Sequence, residues 1–259
     1  MRGHADRGSL HDLQGPGGAA ERRGDADSWS TDAGVEDFVR SQLPPPPARV
    51  LEVGCGSGEL ALALSAGGWR VTAVDPEAPE GEPFVRAAVE ELEAAEYETF
   101  DAAVAVLSLH HARDVGAVLD KVCSLLRPGG VLVVDEFRRE HLADEATAAF
   151  FYYQHISLLC AGRKGSGGGG HPPMGDSFES WFSRLSEHRA SVHGEGDVLA
   201  ALEERFATRS LSYGPFLFRQ GLDAEVEPLE RKLIEEGGIL PTGSRWVGVL
   251  RAEGDGKGG

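Results

Sequence analysis

Lysine is nearly missing from this 259-residue sequence: four lysines and 21 arginines face 42 acidic residues, a formal charge of −17 at pH 7. No basic run offsets that balance, which argues against a nucleic-acid backbone or an anionic membrane surface as partner, because both need a basic face. Cysteine is scarce too. Cys55, Cys123 and Cys160 show no C-x-x-C spacing and no histidine-rich surroundings, which excludes a disulfide scaffold and a zinc framework, so no metal is expected. No stretch approaches 18 uninterrupted apolar residues, and residues 1–15 lack the apolar centre of a secretion signal. A cytoplasmic location without a membrane partner is the expectation. A phosphate-binding loop of the G-K-[S/T] kind is also missing, even from the glycine-rich Gly162–Gly170.

What is present suffices for one large core, since 41% of residues are apolar. Residues 1–30 are rich in Gly, Arg and Asp without apolar periodicity and read as a disordered tail, leaving 31–259 as a single domain. A short helix is expected from Asp32, a candidate N-cap, to Leu43, ended by the Pro44–Pro47 spacer. Apolar runs at 49–54, 69–75, 83–89, 100–109, 130–137, 207–216 and 244–253 read as seven strands. Helical patterns lie between several of them, including "GELALALSAGG" and "DVGAVLDKVCSLL". Strands alternating with helices imply crossovers and an α/β, doubly wound, mostly parallel sheet covered on both faces.

Regularity lapses over about 140–206, where two helix candidates flank "GRKGSGGGG". The first carries Leu142, Ala146, Ala149, Phe150 and Tyr153 on one stripe; the second starts at Asp176 and carries Phe178, Trp181, Phe182 and Leu185. Beyond the end of a strand, such an aromatic helical insert sits where a lid over a ligand crevice would sit, or where a sheet needs cover. It can equally cover a second copy of the chain, so a homodimer is one expected assembly.

The chemistry concentrates in "VLEVGCGSGEL", residues 50–60. A strand running into a glycine turn and then a helix offers free backbone N–H groups to a ligand, and glycine lets the ligand approach without a Cβ in the way. Glu59 stands where a dinucleotide fingerprint wants a small residue against the pyrophosphate. Glu52 lies inside the strand before the loop, and Asp75 closes the next strand, 17 residues after Gly58, where a carboxylate can accept both hydroxyls of a ribose. The implied ligand joins a ribose to positive charge and carries no phosphate. S-adenosylmethionine answers that description.

"VLEVGCGSG", Asp75 after "VTAV", "FDAAVAVLSLHH" and "LLRPGGVLVVDEF", in this order, resemble the class I, Rossmann-like S-adenosylmethionine-dependent methyltransferases, nearest the small-molecule branch related to the ubiquinone and menaquinone C-methylases. The resemblance implies a seven-stranded sheet with an antiparallel last strand and the insert as a lid after the fifth strand. It also implies that Gly54, Cys55, Gly56 and Gly58 hold the methionine end of the cofactor, with Glu52 reaching its ammonium. Asp75 would take the ribose, Pro76, Val89 and Glu90 the adenine, and Leu107 and Ser108 would face the sulfonium.

Methyl transfer is a direct displacement in which orientation supplies most of the help, so a dedicated catalytic residue is optional. Where the acceptor must lose a proton, a histidine base serves. His110, at the carboxyl end of the fourth strand, is the first candidate; His155, on the side of its helix away from the apolar stripe, is the second. His111, Arg138, Tyr152, Tyr153, Trp181 and Phe182 are candidate contacts for an aromatic or polyketide-like acceptor. The expected activity is methylation of a small metabolite on oxygen or carbon. A tRNA or protein methyltransferase and a catalytically silent cofactor-binding module are the alternatives. The excess of arginine over lysine, with abundant alanine and glycine, points to a GC-rich bacterial source.

Overall fold

The computed structural model describes residues 32–163, 177–188 and 194–252. The expected tail, most of the glycine linker and Asp176 lie outside the described residues.

In chain order the elements are α1 (Asp32–Gln42), β1 (Arg49–Val53), α2 (Glu59–Ala66), β2 (Arg70–Val74), β3 (Phe84–Val85), β4 (Phe100–Val106), α3 (Val115–Leu125), β5 (Leu126–Phe137), α4 (Glu145–Cys160), α5 (Phe178–His188), α6 (Glu195–Arg205), β6 (Phe206–Gly214), α7 (Glu227–Glu235) and β7 (Gly243–Leu250). All seven expected strands form one sheet in the order β3-β2-β1-β4-β5-β7-β6. Every pairing is parallel except those of β7, which runs antiparallel to both β5 and β6, as the resemblance implied. The third strand is the one that shrinks, to Phe84–Val85, because Ala87 already bonds back to Val85 and Val89–Glu91 turns as a short 3-10 helix.

Alternation along the strands sorts two cores. Val50, Val104, Val133 and Val247 pack under α1 and α2 with Val35, Val39 and Leu64. Leu51, Ala103, Leu132, Val134 and Trp246 pack on the other face with Leu119 and Val122 of α3 and Val198 and Leu202 of α6. Helix α6 is therefore part of the sheet's own cover, and the irregular insert ends before it rather than near residue 206. Helix α3 is capped by Asp114, whose carboxylate accepts from the Ala117 amide.

Helices α4 and α5 build a third apolar cluster with Leu217 and Leu222, beyond the carboxyl ends of β5 and β6. Trp181 is fully buried there between Phe151 and Tyr152. The buried face of α4 is Ala148, Phe151, Tyr152 and His155, not the stripe through Ala149, Phe150 and Tyr153; Tyr153 is 55% exposed. Two faces of "EATAAFFYYQHISLLC" are apolar, so spacing alone did not distinguish the one that packs.

The strand order reverses between β1 and β4, and the crevice outside their carboxyl ends is where open α/β sheets bind ligands. The glycine loop, Asp75 and the "LHH" turn all surround it.

Candidate active site

The three glycines of the loop all have left-handed φ, +73° at Gly54, +51° at Gly56 and +88° at Gly58, but for different reasons. A Cβ on Gly54 would lie 2.3 Å from the Cβ of Ser108, and one on Gly58 2.3 Å from the Phe84 ring. Those two glycines are demanded by the protein's own packing. At Gly56 nothing lies within 4 Å of the position a Cβ would take, so this residue keeps open space. The loop is tied to β2 by the Gly54 amide, which donates to the Val74 carbonyl at 2.8 Å, and by the Gly56 amide, which donates to Oδ2 of Asp75 at 3.1 Å.

Charge in the crevice is lopsided. Glu52 is only 3% exposed, and its Oε2 is buried with no hydrogen-bond partner among the described residues. Burial first, then the negative charges of Glu59 and Asp75, push its carboxyl up to about 8. The same burial, with Glu52 and Asp75 beside it, pushes the Cys55 thiol up to about 12, so this buried cysteine is an inert wall of the loop. Asp75 accepts the Glu77 amide on Oδ1 at 2.8 Å, which leaves a second acceptor site on each of its oxygens. A buried carboxyl without a donor, in a crevice open at Gly56 and lined by acids, fits a ligand that brings an ammonium and vicinal hydroxyls. The donor set thus suits S-adenosylmethionine.

Around this centre, Leu107 has φ +54°, a strained value for a leucine, and its amide donates to the Asp135 carbonyl at 2.9 Å. Ser108 lies against Gly54, and its buried Oγ has no hydrogen-bond partner among the described residues. Pro76 and Glu90 are exposed and Val89 is buried at the start of the turn after β3. In the chain, Pro76 follows β2, Val89 and Glu90 follow β3, and Leu107 and Ser108 follow β4, each after the carboxyl end of a parallel strand.

His110 is buried in the 3-10 turn Leu109–His111, and its Nδ1 lies 2.6 Å from Oε2 of Glu136 on β5. The other oxygen of Glu136 accepts the Leu109 amide at 2.8 Å. His111 is exposed, with its ring 4.0 Å from that of His110; burial of its partly covered ring and the charges of His110 and Arg139 hold its pKa below the usual histidine range, against the pull of Glu136. A small crevice on this side is walled by Val198, Leu199, Leu202 and Trp246, with His110, Glu136, Glu195 and Ser244 as its polar groups.

The remaining candidates lie on α4, on α5 and just after β5. His155 is buried on the packed face of α4, against the expectation from the apolar stripe; it meets Phe151 edge-on, and its Nε2–H donates to the Gln220 carbonyl at 3.1 Å. Arg138 pairs with Glu195 and stacks 4.0 Å over the Tyr213 ring. Tyr152 and Trp181 fill the apolar cluster between α4 and α5, Phe182 is half-buried beside Phe178, and Tyr153 faces outward.

Sequence reasoning missed Glu136, Asp135 and their partners. Asp135 is fully buried and takes Arg245 and Arg219, each at 2.8 Å, while Arg245 also donates to the Gly34 carbonyl of α1. The signal was available: two consecutive acids inside the apolar "VLVVDEF" must face opposite sides of the sheet, and each needs a partner.

Residues 31–162, just over half of the chain, match the methyltransferase domain family, and the chain belongs to that family. The ubiquinone biosynthesis O-methyltransferase of Xylella fastidiosa is 37% identical over 117 residues, covering 40% of this chain and 47% of that protein. Its counterpart in Xanthomonas campestris is 36% identical over the same length, covering 40% and 48%. The chain thus spans about half the length of the curated relatives it matches. A SAM-dependent methyltransferase from Methanosarcina mazei has the same fold at a TM-score of 0.51 and 16% identity, over 83% of this chain and 97% of that one. Among the described residues no helix is long and apolar enough to cross a membrane, and no cluster of His, Cys, Asp and Glu is arranged to hold a metal.

Proposed function

We propose that this chain is an S-adenosylmethionine-dependent methyltransferase acting on a small-molecule acceptor. The observation that carries the reading is Glu52, a buried carboxyl without a donor beneath a glycine loop whose middle residue leaves open space. The bound cofactor supplies an electrophilic methyl on a sulfonium. The chain supplies position: the loop Gly54–Gly58 for the methionine end, Glu52 for the ammonium, Asp75 for the ribose, Pro76, Val89 and Glu90 for the adenine, and Leu107 and Ser108 beside the sulfur. Holding donor and acceptor in line is worth effective molarities of about 10⁵ to 10⁸ M, enough for most of the acceleration.

The acceptor enters between these residues and the cap of α4 and α5, which acts as a lid, with His110 available as base. His155, already bonded to Gln220, is the weaker candidate. The relatives' names support an acceptor hydroxyl. The excess of acid disfavours a nucleic-acid substrate and a membrane surface. The enzyme works in the cytoplasm of a bacterium, and homodimerisation through the cap is testable by sedimentation.

Calorimetric titration of S-adenosylmethionine and S-adenosylhomocysteine tests the reading directly. Saturable binding to the wild type is expected, weakened at least tenfold, about 1.4 kcal/mol, in both Glu52→Gln and Asp75→Ala. Absence of binding to the wild type overturns it.

A further inference from the structure

We propose that Glu136 is the positioning residue of an acceptor-deprotonating dyad, holding His110 with its proton on Nδ1 and its Nε2 lone pair free to take the proton of an acceptor hydroxyl. The inference rests on the methyltransferase reading and narrows it to methylation of oxygen.

The hydrogen-bond pattern assigns the tautomer. Glu136 accepts the Leu109 amide on Oε1 at 2.8 Å and the Phe137 amide on Oε2 at 3.3 Å. Two amide donors on its two oxygens suit the ionised carboxylate, so the 2.6 Å contact to His110 needs a proton on Nδ1. Among the described residues Nε2 makes no hydrogen bond. The side chains of both partners are about nine-tenths buried, and in such surroundings the carboxylate stabilises the imidazolium that forms when Nε2 takes a proton.

Geometry brings this nitrogen's turn to the reacting end of the crevice. Ser108, two residues before His110, lies directly against Gly54, so the turn that carries the histidine rests on the cofactor loop. Packing fixes it there: Leu109 is buried under α3, and its amide is held by the same carboxylate. Among the described residues, the charged and titratable groups around the histidine are Glu136 from β5, the His111 ring tilted against it with Arg139 near, and Glu195 of α6 across the small crevice, itself paired with Arg138. Among the described residues only Glu136 bonds to the His110 ring.

The step balances without another reactant. The acceptor O–H bond breaks and its proton goes to Nε2; the O–CH3 bond forms as the S–CH3 bond of the sulfonium breaks, and its electron pair stays on sulfur. One positive charge enters on sulfur and leaves on the imidazolium. A carbon acceptor that reacts through its own enolate, or a neutral amine, does not need this base before transfer.

The test uses the full chain in three parts. Imidazole nitrogen shifts of the cofactor-free protein should show His110 as the Nδ1–H tautomer, and Glu136→Gln should abolish that preference; an Nε2–H wild type overturns the assignment. Calorimetry should give S-adenosylmethionine affinities within about twofold for wild type, Glu136→Gln and His110→Asn; loss of binding in the wild type defeats the cofactor reading and leaves the tautomer result standing. With catechol as probe acceptor, kcat should fall on the order of 10²-fold or more in both variants, with KM within about threefold. The acid limb of kcat/KM against pH should vanish in His110→Asn and move to lower pH in Glu136→Gln, and Glu136→Asp should recover part of the rate. A merely structural carboxylate leaves the pH profile in place. An unchanged rate or profile in Glu136→Gln, or a wild type that binds the cofactor and methylates aniline but not catechol, refutes the proposal.

Discussion

Replacing Glu52 with glutamine should turn a proton-releasing binding reaction into a weak proton uptake. With its carboxyl at about 8, Glu52 is about 0.9 protonated in the free protein at pH 7. An ammonium delivered against its unpartnered oxygen favours the ionised form and should draw its pKa well below neutrality. The ligand's own α-amine, with a reference value near 7.7–8.0, takes up about 0.1–0.2 proton as it binds charged. Net release is therefore about 0.7–0.8 proton per cofactor. Calorimetry in two buffers of different ionisation enthalpy reads it directly, and Glu52→Gln should show only the small uptake. The same group biases stability. Its folded pKa lies above the ordinary 4.5, so the folded state holds the proton longer, and stability falls as pH rises from about 4.5 to about 8. At about 1.4 kcal/mol per pKa unit the full effect is about 5 kcal/mol, so urea midpoints of wild type and Glu52→Gln should diverge across that window, the variant being the more stable above pH 8. Equal proton release in the two proteins, or parallel stability curves, would refute the argument.

The two kinds of glycine in the loop should separate on substitution. Gly58→Ala meets Phe84 at 2.3 Å and should lower folding stability by about 2–4 kcal/mol by denaturant titration. Gly56→Ala meets only open space in the protein and should lose about 1–2 kcal/mol from its φ, while cofactor affinity drops at least tenfold. Asp135→Asn removes the buried carboxylate that Arg245 and Arg219 share and should destabilise by about 3–5 kcal/mol, read from the urea midpoint. Trp181→Ala empties the core of the cap, at about 3–5 kcal/mol, yet should leave S-adenosylmethionine affinity within twofold; a larger loss would mean that the cap shapes the cofactor crevice.

How much was legible depends on whether a local pattern names its own partner. The strands did: β-branched runs between turn residues identify buried strands wherever they pair, and all seven formed one sheet. The glycine loop did as well, since a left-handed turn after a buried strand calls for glycine whatever packs against it, although Ser108 and Phe84 add a second demand at Gly54 and Gly58. Helix α4 did not, because "AAFFYY" offers two apolar faces and the choice between them was made by α5 and Leu217, remote in sequence. His155 was assigned to the wrong face for the same reason. The crossover helix α6 was absorbed into the insert because its neighbours in sequence are irregular, whereas its neighbours in space, α3 and the sheet, are regular.

The buried acids carry the argument further than any motif. Asp135 and Glu136 are adjacent in β5, yet alternation sends them to opposite faces. On the α1 face Asp135 meets two arginines and becomes a brace between β7 and the chain after β6. On the α3 face Glu136 meets His110 and two amides, a partnership that can gain or lose a proton. Glu52 shares the α1 face with Asp135, but among the described residues its buried Oε2 receives no donor. If all three were structural, natural selection for stability would favour a partner or an apolar residue at Glu52, since an unpaired buried carboxyl opposes folding at neutral pH. A carboxyl in that position makes sense where the missing partner arrives with the ligand. A resident cation beside Glu52 would satisfy the carboxyl, stabilise the free protein and remove the site for an ammonium; the charged groups that act on Glu52 are instead Glu59 and Asp75, both acids.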